Sequence, residues 1–208
     1  MIKNIVFDLG NVLLSWKPDR YFEKSGYDSN TISLIMKDIF GSPVWSALDN
    51  GDITTADAIE QIAQTSSLKK EFISSLFGLR TEIINPLTDN IKLLPRLKES
   101  GFKLYYLSNF PLDFFEEVKN EYDFFDYFDG GIISAAVRHS KPDIRIYRIL
   151  LDRYQLKAEE CFYIDDVDIN VRAAESAGMT AYCYDGENGN SGQLHSLTKE
   201  MFPGNPPG

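Results

Sequence analysis

Four segments of this 208-residue chain run into side chains that can handle a phosphoryl group. Ile2 to Phe7, short, apolar and β-branched, is followed by Asp8. Lys103 to Leu107 is followed by Ser108 and Asn109. The segment from Gly131 to Ser134 leads to Lys141-Pro142, and Cys161 to Ile164 leads to Asp165-Asp166. Taken singly, each has a plain structural explanation. Asp8 is a turn residue, Ser108 a helix cap, Lys141 a solvated surface lysine and Asp165-Asp166 a capping pair. Taken together they are less ordinary. Carboxylates gathered at one edge repel each other unless a cation sits among them. Asp8 with Asp165 and Asp166 supplies hard oxygen ligands of the kind magnesium takes. Ser108 and the amides of a helix start suit a phosphoryl oxygen, and Lys141 balances negative charge. These are the parts of a phosphoryl transfer that passes through an aspartyl phosphate.

For the four groups to meet, the segments before them must share a sheet edge. After Pro86 the pattern alternates. Ile91 to Ser100 reads as a helix stopped by Gly101, Lys103 to Leu107 as a strand, and Pro111 to Tyr122 as a helix. Gly131 to Ser134 follows as a strand, Asp143 to Tyr154 as a helix, Cys161 to Ile164 as a strand, Asp168 to Ala177 as a helix and Thr180 to Tyr184 as a strand. Such alternation predicts an α/β fold, a doubly wound, Rossmann-like parallel sheet covered on both faces, with ligands outside the carboxyl ends of its strands. Between about Pro18 and Leu87 the texture differs. Apolar residues recur at helical spacing, as in Ile32, Ile35, Met36 and Ile39, with breaks at Gly26, Gly41 and Gly51. This block predicts four or five short helices and no strand, with Thr54 or Thr55 capping one of them. The expected organisation is a core of residues 1–16 and 86–208 interrupted by a helical-bundle cap of residues 17–85. The tail beyond Gly186 is polar and is expected to be loose at its end.

Composition narrows the partners. The formal net charge is −10 and the hydrophobic fraction 43%. An acidic surface repels nucleic acid and anionic lipid, so a small phosphorylated molecule drawn by a local cation is the expected partner, with no nucleic acid and no membrane. Cys161 and Cys183 lack zinc spacing and are expected to be reduced core thiols. Met1 to Ile5 leads directly into a strand-like run, which predicts no secretory leader and a cytoplasmic protein.

A response-regulator receiver uses similar parts but places its acidic pair after the first strand. Here the single aspartate comes first and the pair last, with a helical insertion between. The order resembles the haloacid dehalogenase superfamily over nearly the whole chain. Phe7-Asp8-Leu9-Gly10-Asn11-Val12-Leu13 resembles its first motif, Leu107-Ser108-Asn109 the second, and Lys141-Pro142-Asp143 with Ile146-Tyr147 the third. Ile164-Asp165-Asp166 with Asn170, Ala173-Ala174 and Ala177-Gly178 resembles the fourth. Trp45, Gly51, Ile53 and Thr54 resemble a helical cap inserted after motif one. The resemblance implies that Asp8 is nucleophile and magnesium ligand, and that Asp166 and the carbonyl of Gly10 complete the protein ligands, with Asp165 beside them acting through water. It implies that Ser108 and Asn109 hold phosphoryl oxygens, that Lys141 stabilises the phospho-aspartate, and that Asn170 supports the acidic loop.

One position departs from the pattern. Phosphatases of this superfamily carry a second aspartate two residues after the nucleophile, where this chain has Gly10. General acid–base help is worth on the order of 10²–10⁴ in rate, so its absence favours esters that leave easily, such as a hexose 1-phosphate. The Asp-Leu-Gly-Asn-Val form also resembles a subgroup of α-glucose-1-phosphate phosphatases. Two other readings use the same residues. A 2-haloacid dehalogenase attacks with the same aspartate and needs no metal, but it carries Tyr and Thr where this chain has Gly10 and Asn11. A non-catalytic phospho-ligand sensor has little physical reason to keep so costly a charge cluster. With the cap lying over the catalytic rim, Trp16, Arg20, Tyr21, Trp45 and Asp49 are the side chains expected to reach a substrate.

Overall fold

Ile5, Val6 and Phe7 are buried on both sides of the chain, because their strand lies at the centre of a sheet packed on two faces. The structure, a computed structural model, describes residues 1–185 and Leu194. The sequence expectation for the tail beyond Gly186 therefore lies outside the described residues. The sheet strands are β1 (Asn4–Phe7), then after a long insertion β4 (Lys103–Ser108), β5 (Gly130–Ile133), β6 (Cys161–Asp165) and β7 (Thr180–Cys183), in the order β5-β4-β1-β6-β7 with every pair parallel. Alternation along each strand sends its side chains to opposite faces. Ile5, Phe7, Leu104 and Ile164 face one apolar cluster, while Val6, Tyr105, Leu107 and Tyr163 face the other.

The first cluster is closed by α7 (Thr88–Ile91), α8 (Leu93–Glu99) and α9 (Leu112–Glu121), which contribute Leu93, Leu94, Phe114, Phe115 and Val118. The second is closed by α11 (Ile144–Tyr154) and α12 (Asp168–Ser176), through Ile146, Tyr147, Leu150 and Ala174. α10 (Ser134–Val137) is a single turn leaving β5. The helix expected over Ile91 to Ser100 is α8, Leu93–Glu99, preceded by the separate short turn of α7. Pro95 lies in the first turn of α8, where its missing N–H is tolerated, and its ring crowds the carbonyl of Ile91, so α7 and α8 do not run on as one helix. Both cysteines are free. Cys161 is buried as expected, but Cys183 is exposed, because β7 is an edge strand with only partial cover. Among the described residues no helix is long and apolar enough to cross a membrane.

The insertion holds α1 (Pro18–Lys24), α2 (Ser29–Ile35), a π-helical turn at Met36–Phe40, α3 (Pro43–Asp49), α4 (Thr55–Thr65), α5 (Lys70–Gly78) and α6 (Arg80–Ile83). Asp28, Ser42 and Thr54 cap α2, α3 and α4, and Thr54 forms a reciprocal capping box with Asp57. Phe22, Ile39, Leu48, Ile62, Ile73 and Phe77 form a third apolar cluster of its own. The block is not strand-free, which corrects the sequence expectation. β2 (Leu14–Trp16) leaves the core and β3 (Ile84–Pro86) returns to it, and the two pair antiparallel. Three residues, one of them a proline, are too few to show alternation, and each strand's partner is some 70 positions away.

The insertion is tied to the core at several points. Thr55 Oγ1 donates to Asp113 at 2.7 Å, and Arg80 bonds Asp113 at 3.3 Å and approaches Glu117 at 3.6 Å. Gly51 sits where α3 meets α10. Its φ is +75°, and a Cβ there would lie 2.4 Å from the carbonyl oxygen of Ala135. Gly26 also has a positive φ, +84°, but opens onto free space. Gly26→Ala is expected to cost about 1 kcal/mol of backbone strain, and Gly51→Ala about 2–4 kcal/mol because it adds a backbone clash. Denaturant midpoints at unchanged m-value measure the difference. Equal losses would show that the α3–α10 contact yields without cost.

Candidate active site

Three parallel strands end at one rim, β1 and β4 delivering one group each and β6 two. Asp8 follows β1, its backbone N–H bonded to the carbonyl of Ile164 at 2.8 Å. Ser108 closes β4 and is buried, and its hydroxyl helps to hold the Asp8 carboxyl down. Asp165 closes β6 and Asp166 follows it. A further group comes from the loop before α11, where Lys141 extends a buried side chain into the cluster. Its ammonium lies 2.8 Å from Asp8 Oδ1 and 2.7 Å from Asp165 Oδ2. The structure thus brings together Asp8, Ser108, Asn109, Lys141 and Asp166 around one cavity, with Gly10 on its wall, while Asp165 is fully buried and joins the cluster through Lys141.

The two members of the acidic pair have different surroundings. Asp165 is fully buried and heavily bonded. It accepts from Lys141, from the Tyr163 hydroxyl, from the Val167 N–H at 2.8 Å, and from Asn170 Nδ2 at 3.1 and 3.2 Å. Burial pushes its carboxyl upward, but Lys141 and these donors outweigh it and hold Asp165 below the usual range. Burial likewise opposes charge on Lys141, and the two carboxylates outweigh it and raise the ammonium. Among the described residues the Asp166 side chain bonds one other side chain, Asn11 Nδ2 at 3.1 Å, and burial raises it. Asp8 is pushed up to about 7, chiefly by burial, with Lys141 opposing and Asp165 adding to the rise.

Asp8, Asp165 and Asp166 each offer an oxygen within 4.8 Å of the others. Lys141 is the one cation among the described residues lining the cavity. Asp8 and Asp165 share this one ammonium, so buried Asp8 and half-buried Asp166 are left under-compensated. A hard oxygen set of this kind calls for a small divalent cation.

The resemblance implies that Asn109 holds phosphoryl oxygens. Its side-chain amide instead clasps the backbone of Lys141, donating to the carbonyl at 3.0 Å and accepting from the N–H at 2.8 Å. It thereby ties the loop after β4 to the loop that carries Lys141. Two contributors escaped the sequence reading. Asn11, in the left-handed region at φ 51°, links Asp166 to the backbone of Trp16. Tyr163 reaches Asp165 because residues two apart on a strand share a face, and a tyrosine two positions before the acidic pair was the available signal.

The cavity has a volume of about 230 Å³. Asp8, Ser108, Lys141, Asp166, Phe110 and Phe114 line it from the core, while Leu14, Trp16, Trp45, Asp49 and Ile84 come from the ribbon and the insertion. Trp16 stacks on Trp45 at 5.9 Å and lies 6.1 Å from Phe114, joining the two halves. Of the side chains expected to reach a substrate, Trp16, Trp45 and Asp49 line this cavity. Arg20 lines a neighbouring cleft that also touches Asn11 and Asp166. Tyr21 lines neither and donates to Glu82 at 2.9 Å.

Comparison with known proteins converges on one family. The family model described as haloacid dehalogenase-like hydrolase matches residues 2–178. The sesquiterpene phosphatase astK of Aspergillus oryzae is 30% identical over 177 residues, covering 85% of this chain and 87% of its own. The phosphorylated carbohydrates phosphatase of Thermotoga maritima is 24% identical, covering 84% and 81%. Among solved structures, the HAD family enzyme bt-2542 of Bacteroides thetaiotaomicron, in complex with magnesium and inorganic phosphate, has a TM-score of 0.71 at 24% identity, covering 90% of this chain and 96% of that one. The L-2-haloacid dehalogenase of Xanthobacter autotrophicus has a TM-score of 0.69 at 18% identity, covering 97% and 88%.

Proposed function

The chain belongs to the haloacid dehalogenase-like hydrolase family and is a phosphatase within it, and from that premise we propose that it is a magnesium-dependent phosphatase using Asp8 as nucleophile. The observation that carries this reading is the pair of under-compensated carboxylates, Asp8 and Asp166, at the floor of a cavity that also presents Ser108 and Lys141. Asp8, Asp166 and the carbonyl of Gly10 would hold magnesium, with Asp165 beside them. Magnesium, when bound, supplies positive charge against the non-bridging phosphoryl oxygens.

The chain's own residues do the rest. Ser108 donates to a phosphoryl oxygen. Asn109 keeps Lys141 in register with the loop after β4. Lys141 stays charged because Asp165 faces it, and it offsets the negative charge that Asp8 and the phosphate bring together. Asp8 Oδ attacks phosphorus, the ester bond breaks, and water later releases phosphate from the aspartyl phosphate. A haloacid dehalogenase needs no cation, so it leaves the under-compensated carboxylates without a purpose.

The substrate we propose is a small phosphate monoester, with a hexose 1-phosphate as first reading because its anomeric oxygen leaves readily. The walls favour a second. Trp16, Trp45, Ile84, Phe110 and Phe114 suit an apolar alcohol portion, such as the terpenyl group implied by the name of the Aspergillus relative. The test is phosphate release from hexose 1- and 6-phosphates, nucleotides, acyl phosphates and terpenyl phosphates, with magnesium and with chelator. Turnover that requires magnesium is expected. Failure on the whole panel, or turnover of a 2-haloacid in chelator, would overturn the reading.

A further inference from the structure

Gly10 leaves the leaving-group oxygen without the usual proton donor, and the backbone does not demand a glycine there. A Cβ at position 10 would meet only Asp8 Oδ2, at an ordinary 3.9 Å. The proton must therefore come from another group at the cavity. Among the described residues lining it, the titratable side chains are Asp8, Asp49, Lys141 and Asp166. Asp8 is the nucleophile, Lys141 is held by two carboxylates, and Asp166 belongs to the proposed metal set. Asp49 is the one left without a task, and the insertion, not the core, contributes it.

Resting on the phosphatase reading above, we propose that Asp49 is the catalytic acid and base of this enzyme, replacing the carboxylate absent at position 10. In the first step Asp8 Oδ bonds to phosphorus, the P–O ester bond breaks, and its electron pair goes to the leaving oxygen, which takes the proton of the Asp49 carboxyl. The products are an alcohol, an aspartyl phosphate and an Asp49 carboxylate. In the second step that carboxylate takes a proton from water as the water oxygen bonds to phosphorus. The bond to Asp8 breaks with its electrons returning to Asp8, so Asp49 is again protonated and phosphate is free.

Three features place Asp49 for this work. It is the last residue of α3, and its backbone carbonyl accepts from Ser134 Oγ, which itself accepts the Phe110 N–H at 2.9 Å, two residues past Ser108. Its neighbour Asn50 accepts from Ser140 Oγ at 2.9 Å, next to Lys141. Gly51 then packs against Ala135 too closely for any side chain. The end of α3 is thus pinned to the loop that follows Ser108 and to the loop that carries Lys141. Burial pushes the Asp49 carboxyl up to about 7, with the Trp45 side chain partly offsetting it, so the protonated form that the first step needs persists towards neutral pH.

The test separates the acid from a binding role through the leaving group. In Asp49→Asn, kcat/KM is expected to fall about 10²–10⁴-fold on a primary alkyl phosphate, and less than about tenfold on 4-nitrophenyl phosphate, whose phenolate departs without a proton. Rates are expressed per folded molecule, from near-ultraviolet circular dichroism. Asp49→Glu, which keeps the carboxyl, is the second variant and should retain most of the alkyl phosphate activity. Equal falls on both esters, or no fall on the alkyl ester, would overturn the proposal. Failure of the underlying reading is distinct: Asp8→Asn would then keep both activities.

Discussion

Replacing Asp8 by asparagine is expected to lower phosphate release by about 10⁴-fold or more on every ester, leaving groups good and poor alike. The amide oxygen is a poor nucleophile and cannot form a phosphorylated intermediate that water readily cleaves. The loss falls on the bond-forming step, which no leaving group relieves. Stability should move the other way. Burial raises the Asp8 carboxyl to about 7, above its ordinary value. A carboxyl raised in the folded state costs stability progressively as pH rises from its ordinary value of 3.8 to about 7, and the loss is complete above that, so at pH 8 without magnesium the native protein bears a full penalty that the amide variant lacks. The melting temperature of Asp8→Asn at pH 8 is therefore expected to equal or exceed that of the native protein. An inactive variant that is also markedly less stable would mean that Asp8 holds the fold together, and an active one would remove it as nucleophile.

The second large effect concerns Lys141. Its side chain is 2% exposed and bonds both Asp8 and Asp165. Lys141→Met keeps the length of the stem but leaves three neighbouring carboxylates with no side-chain cation among the described lining residues. Removing one partner of a buried ion pair costs about 3–5 kcal/mol, because the remaining charge is stranded. Activity should fall about 10²–10³-fold as well, since the lysine faces the phosphate where charge accumulates. A double variant separates the two effects. Lys141→Met with Asp165→Asn removes both members of the tightest pair, so most of the lost stability should return while activity does not. Urea midpoints of the native protein, the two single variants and the double variant measure this. If Lys141→Met were as stable as the native protein, the pair would be a surface-like contact with little energetic weight.

Both predictions turn on the division of labour within the acidic pair. Asp165 and Asp166 are adjacent in sequence and opposite in environment. One ends β6 facing the cluster of Tyr147 and Tyr163. The other has passed the strand end and faces the cavity, with Asn11 as its side-chain partner. Charge type in the sequence could not tell them apart.

What the sequence determined by itself is the order of parts. Short apolar runs and helical spacing are local, so the strands at Asn4–Phe7, Lys103–Ser108 and Cys161–Asp165 and the helices after Pro86 were readable to within a few residues. A parallel sheet brings its strand ends to one edge, so Asp8, Ser108 and Asp165-Asp166 could be assigned to one rim before any coordinates. What only the tertiary structure decided depends on partners far along the chain. The β2–β3 ribbon joins segments some 70 residues apart and has no local pattern. The clasp of Asn109 on the Lys141 backbone, the burial of Lys141 and the link from Asn11 to Asp166 are likewise meetings between loops. Asp49 shows the difference most clearly. In sequence it is one acidic residue at the end of a short helix, and the pinning of that helix to Ser134 and Ser140 is what carries it to the cavity, because docking geometry is set by contacts the sequence does not contain locally.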